Sequence, residues 1–108
     1  MRCGESVRQG DVLVTRVARL PKGTGAVPEA VPGRHVLALG EATGHHHSVA
    51  VADAELLESK AGEVFLRIMR ATPLEHQEHA AILLEPGTYR VTRQREYAAP
   101  QIERRVAD

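Results

Sequence analysis

Ala54–Arg70, AELLESKAGEVFLRIMR, sets the class of this fold. Two apolar arms, Ala54 to Ser59 and Glu63 to Arg70, flank Lys60-Ala61-Gly62. That pattern is a β-hairpin, because glycine supplies the positive φ a tight turn requires. In the second arm Val64, Leu66 and Ile68 share one face, and Glu63, Phe65, Arg67 and Met69 the other, as the two-residue period of a strand dictates.

The same reading extends outward. Asp11 to Ala18 (DVLVTRVA) is rich in β-branched residues and follows Gly10, so it is predicted as a first strand. Arg34 to Gly40 (RHVLALG) is a second. From His45 to Ala52, His45, His47, Val49 and Val51 point one way, while His46, Ser48, Ala50 and Ala52 point the other. Glu85-Pro86-Gly87-Thr88 has the proline and glycine order of a type II turn, which predicts a second hairpin between Ala80–Glu85 and Thr88–Tyr97. Within that arm, Tyr89, Val91, Arg93 and Arg95 share a face. Pro73 to Ala81 carries helical spacing at Leu74, Glu78 and Ala81, enough for one or two turns. Arg19 to Gly33, with three prolines and three glycines, is a long connection. The expectation is one all-β domain over residues 1–108, a small antiparallel barrel or sandwich. Its tail, Ala98 to Asp108, is a short helix or an arm packing on a neighbouring subunit.

At 108 residues the chain buries one modest core. Phe65, Tyr89 and Tyr97 are its aromatics, so that core is aliphatic. Fourteen acidic and fourteen basic residues cancel, which argues against bulk nucleic acid or an anionic membrane as the main partner. Arginines 90, 93, 95, 104 and 105 are interleaved with Tyr89 and Tyr97 as a base-stacking surface requires, but Glu96, Glu103 and Asp108 offset them. Cys3, the sole cysteine, rules out an intrachain disulfide, and the first twenty residues contain no apolar run of signal-peptide length. These features predict a cytoplasmic protein without a membrane span. A small core, uncovered strand edges and a tail with apolar anchors predict a homo-oligomer, with a trimer mildly preferred.

Five of the six histidines fall in Gly44-His45-His46-His47-Ser48 and Glu75-His76-Gln77-Glu78-His79. Histidines at i and i+2 on a strand share a face, so His45 and His47 are predicted to converge. His76 and His79, three apart, converge only on a helical turn or a bulge. Imidazole with carboxylate is a ligand set for zinc, iron, nickel or manganese. The candidate metal ligands are His45, His47, His79 and His76, with Glu41 or Glu78 as an extra ligand or as a general base. An enzymatic version keeps an open coordination position for water, making a metal-dependent hydrolase or oxygenase. A metal-free version places the histidines at a subunit interface. The spacing matches neither the cupin metal signature nor a His-Glu-x-x-His helix, and no nucleophile elbow or phosphate loop is present.

Gly40-Glu41-Ala42-Thr43-Gly44-His45-His46-His47, Glu78-His79, Pro86-Gly87-Thr88-Tyr89 and Gln94-Arg95-Glu96-Tyr97 together resemble a family of small, uncharacterised bacterial and phage-encoded proteins. The resemblance runs from Gly10 to the end. It implies no reaction. It does imply that His46, at a variable position, matters less than His45 and His47, and that His76 matters less than His79.

Overall fold

The computed structural model describes residues 1–39 and 45–93. Among the described residues ten strands run β1 (Ser6–Gln9), β2 (Val12–Val17), β3 (Gly25–Ala26), β4 (Arg34–Leu39), β5 (His46–Ala50), β6 (Ala54–Glu58), β7 (Val64–Ile68), β8 (Thr72–Leu74), β9 (Ile82–Leu84) and β10 (Gly87–Arg93). The protein is all-β. A six-stranded antiparallel sheet has the order β1-β2-β10-β7-β6-β3, and two separate pairs, β4-β5 and β8-β9, complete the described residues.

The rows across the large sheet show how sequence becomes core. Val14 pairs with Val91, which pairs with Val64; Tyr89 pairs with Leu66, which pairs with Leu56. Val12, Val14, Leu66 and Tyr89 are almost fully buried and pack with Val49, Leu74 and Leu84 from the two small sheets. Fully burying such a side chain contributes about 1.5–3 kcal/mol, so these inward rows supply most of the stability. The hairpin between β6 and β7 forms as the sequence predicts, with Ser59 N–H donating to the Glu63 carbonyl at 2.9 Å and Gly62 N–H to the Ser59 carbonyl at 3.0 Å. Phe65 is nevertheless buried, although it lies on the face opposite Leu66. Its pairing partner Leu57 is buried with it, so the large sheet is covered there on both faces.

Four sequence expectations change. The predicted hairpin around Pro86-Gly87 does not form: β9 pairs with β8, while β10 enters the large sheet between β2 and β7. Burial decides this, because Tyr89 and Val91 find valine and leucine partners in the large sheet. The Tyr89 hydroxyl donates to the Glu85 carbonyl at 2.6 Å and closes the corner. Gly87 has a φ of 154°, and a Cβ there would run into the Arg16 guanidinium that lies over the Tyr89 ring. The helical spacing of residues 73–81 is likewise overridden. Thr72 to Leu74 is extended and Glu75 bridges Ser48 through two backbone hydrogen bonds of 2.9 and 3.0 Å. Strand β5 stops at Ala50, so Val51 and Ala52 lie in a turn. Finally, the Arg19–Gly33 connection contains β3, which pairs with the edge of β6. The tail Ala98–Asp108 lies outside the described residues.

Strand β1 is an addition to the elements that the sequence declares. It has a single apolar residue, Val7, and hydrogen-bonds to β2 through a turn at Gly10-Asp11. Gln9, Val12 and Arg93 form the last row of the sheet. This end of the sheet faces β5 and the segment after β8, both of which Gln9 touches. Among the described residues no helix is long and apolar enough to cross a membrane.

Candidate functional site

His47 is the centre of the site. It lies on β5 opposite Ala38, beside a bulge at which the pairing with β4 skips Leu37. The bulge lets Leu37 and Ala38 both face the interior. His47 points inward from β5 and is 1% exposed. Its Nδ1 is 2.8 Å from Gln9 Oε1. Gln9 is itself buried, and its amide nitrogen donates to the carbonyls of Leu74 and Ala80, each at 2.9 Å. Both amide protons are thereby engaged, so Oε1 is the acceptor and His47 Nδ1 carries the proton. The Nε2 lone pair is left free. A hydrogen bond of this kind is what commonly orients a metal-binding or proton-transferring imidazole.

That lone pair faces a carboxylate. His47 Nε2 is 3.6 Å from Asp11 Oδ1, while Asp11 Oδ2 accepts from Arg93 Nη2 at 2.7 Å and Nε at 3.2 Å. Burial pushes the Asp11 pKa up, but the Arg93 hydrogen bond and charge outweigh it and hold the carboxyl below its usual value. His47 is pushed down to about 4, first by burial and then by repulsion from His76, against the attraction of Asp11 and with smaller contributions from His79 and Arg93. At neutral pH the site therefore holds a neutral imidazole and an ionised carboxylate.

Three further histidines gather around it. The His76 ring lies 4.4 Å from His47, 4.6 Å from His79 and 5.6 Å from His45, centre to centre. The His79 ring is nearly parallel to His47 at 6.1 Å. Bends after Glu75, rather than a helical turn, bring His76 and His79 to the same side. His76 is also lowered, by burial first and then by His79 and His45, with Glu78 opposing. Its Nδ1 accepts from the Glu78 backbone N–H at 3.0 Å, which leaves the proton of the neutral ring on Nε2. His45 precedes β5, and its Nδ1 is 3.6 Å from the exposed carboxylate of Glu78. His76 thus stands between His45 and His47, the two residues the i, i+2 rule would pair directly. His46 faces away. Glu41 lies outside the described residues.

Gly10 is shaped to this cluster. Its φ is +59°, and a Cβ there would sit 2.7 Å from His79 Nε2 and 3.3 Å from His47 Cε1. The turn comes close enough to the rings to require glycine. Gly10→Ala is expected to cost about 1–2 kcal/mol from the left-handed backbone alone and to drive the His79 ring outward. Chemical denaturation, together with a shift of the His79 ring resonances, checks both effects.

The spacing rules single out four of these histidines and Glu78, but not Gln9, Asp11 or Arg93. Among the described residues no three His, Cys, Asp or Glu side chains are already converged to hold an ion. The arrangement is a two-atom pair, His47 Nε2 and Asp11 Oδ1, ringed by imidazoles.

A family model described as a domain of unknown function (DUF8820) matches residues 8–94. The chain belongs to that family. The matched span takes in Gln9, Gly10, Asp11, all four clustered histidines and Arg93, so the whole site lies inside the DUF8820 domain. No curated protein and no solved structure matches the chain.

Proposed function

We propose that this DUF8820 protein is an accessory protein that binds a divalent metal ion, with His47 Nε2 and Asp11 Oδ1 as its first two ligands. The observation that carries the reading is the acceptor-to-acceptor approach of these atoms at 3.6 Å. With His47 protonated on Nδ1, no proton lies between a lone pair and a carboxylate oxygen. A cation turns that repulsion into attraction. Two ligands at zinc-like bond lengths and a tetrahedral angle stand about 3.4 Å apart, close to the separation found here.

His79, against Gly10 and parallel to His47, supplies the third ligand by rotation of its ring. His76 serves less readily, because its lone pair is committed to the Glu78 N–H. His45 and Glu78 lie at the outer side of the cluster and complete the coordination or hold a bound water. Nitrogen and oxygen donors of this kind suit zinc, iron, nickel or manganese. Crowded imidazoles that repel one another's protons also favour an ion over protonation. Burial of His47 within a single chain favours this reading over a histidine cluster that organises a subunit interface.

The test is elemental analysis of untagged protein purified without chelator, beside folded His47→Ala and His35→Ala variants. The expected result is near one metal per chain in the parent and in His35→Ala, and less than about a tenth of that in His47→Ala, since even removing the partner behind a ligand costs about tenfold to a hundredfold in affinity. Metal-free parent that takes up none of the four ions on titration would end the proposal.

A further inference from the structure

The opposite face of β5 borders an open cavity of about 380 Å³ whose wall includes Arg34, His46, Glu75, His76 and Gln77. The geometry points to this cavity as the binding site of a small carboxylate-bearing molecule, its carboxylate paired with Arg34 in place of Glu75. The inference rests on the metal reading only in where the far end of that molecule reaches.

Arg34 is held ready for such a partner. Its Nε donates to Ser48 Oγ at 3.1 Å and its Nη2 to the Ser48 carbonyl at 3.0 Å, which fixes the plane of the guanidinium. The same Nη2 meets Glu75 Oε1 at 2.9 Å. A planar guanidinium locked by two bonds to its own sheet recognises a carboxylate with little ordering cost. Glu75 supplies that carboxylate from within the chain and so marks the position a ligand's carboxylate would take. Its side chain is 53% exposed, and an ion pair open to water on that scale is weak and readily exchanged. The Glu75 backbone stays fixed by its bridge to Ser48 while the side chain swings away.

The other walls suit a polar guest. Gln77 accepts from the His46 backbone N–H at 2.9 Å and keeps its amide group at the rim. His46 lines the cavity beside it. His76 belongs both to this wall and to the histidine cluster, with its ring 4.4 Å from His47. A molecule anchored at Arg34 therefore reaches the outer side of the histidine cluster at His76. Carboxylate is favoured over phosphate because the group already seated on Arg34 is a carboxylate.

Succinate is the probe, titrated into ¹⁵N-labelled protein with and without zinc and read by the amide shifts of His46, Ser48 and Gln77. Saturable shifts are expected, at least tenfold weaker in Arg34→Gln and at least threefold tighter in Glu75→Gln, where the internal competitor has lost its charge. Tightening is not a result that damage to the fold would give. Unchanged or weaker binding in Glu75→Gln, equal binding in Arg34→Gln, or a preference for inorganic phosphate would overturn the inference. Saturable succinate binding by protein that takes up no metal would support this site and remove the metal reading. Metal uptake without saturable succinate binding would do the reverse.

Discussion

Replacing Gln9 with alanine is expected to destabilise the protein by about 3–5 kcal/mol. A buried polar group left without a partner costs about 1–3 kcal/mol, and this substitution strands two, the Leu74 carbonyl and the Nδ1–H of His47, while the carbonyl of the exposed Ala80 turns to water. It also opens space between β1 and the segment after β8. Gln9→Glu separates hydrogen bonding from packing, since a carboxylate of the same shape accepts from His47 but cannot donate to the two carbonyls. Urea denaturation of the three proteins measures the effect. Where a folded Gln9→Ala sample survives, its metal affinity is expected to fall tenfold to a hundredfold, as when the partner orienting a ligand histidine is removed. A loss below 1 kcal/mol would mean that water replaces the amide at no cost, and the fixed tautomer of His47 would no longer be warranted.

Acid is the second large effect. In metal-free protein His47 titrates near 4 when folded, against 6.5 for the free side chain. Above 6.5 both states are neutral there, and His47 adds no pH dependence. As the pH falls from 6.5 to 4 the unfolded chain takes up a proton that the folded chain refuses, so stability declines across that window. The gap is worth about 3 kcal/mol. Asp11, held below its usual value, adds a loss in the same direction as the pH falls further. Denaturant midpoints at pH 7, 5.5 and 4 with chelator present give the slope, and His47→Gln is expected to flatten it. A parent protein equally stable at pH 7 and 4 would show that the fold accommodates the proton, with Asp11 as its partner.

Local sequence carried a good part of this architecture. The Lys60-Ala61-Gly62 turn needs nothing beyond its own residues, and the strands at Val12–Val17 and Arg34–Leu39 declare themselves by composition. Pro86-Gly87 misleads for an equally physical reason. Its residues suit a tight turn, but Tyr89 and Val91 are better buried between β2 and β7 than beside β9. In the site, imidazoles at short spacing are conspicuous in sequence, so the histidines and Glu78 could be picked out. Gln9, Asp11 and Arg93 could not. Gln9 meets His47 across 38 positions and Asp11 meets Arg93 across 82, and no periodicity reports contacts of that range. The one local hint was Gln-Gly-Asp at a turn, a polar trio with the glycine that a close approach demands.

The strand that enters the large sheet in the middle is also the last in chain order of the ten strands among the described residues. In the sheet β10 alone joins β2 to β7, so without it each of those strands keeps one unpaired edge. The Asp11–Arg93 pair depends on the same strand, because Arg93 is the final residue of β10. Contacts of such long sequence separation are the slow ones to form. The Asp11 carboxylate is thus aimed at His47 only when the sheet is whole, and a chain that stops short of Arg93 holds all six histidines but lacks the arginine that aims it.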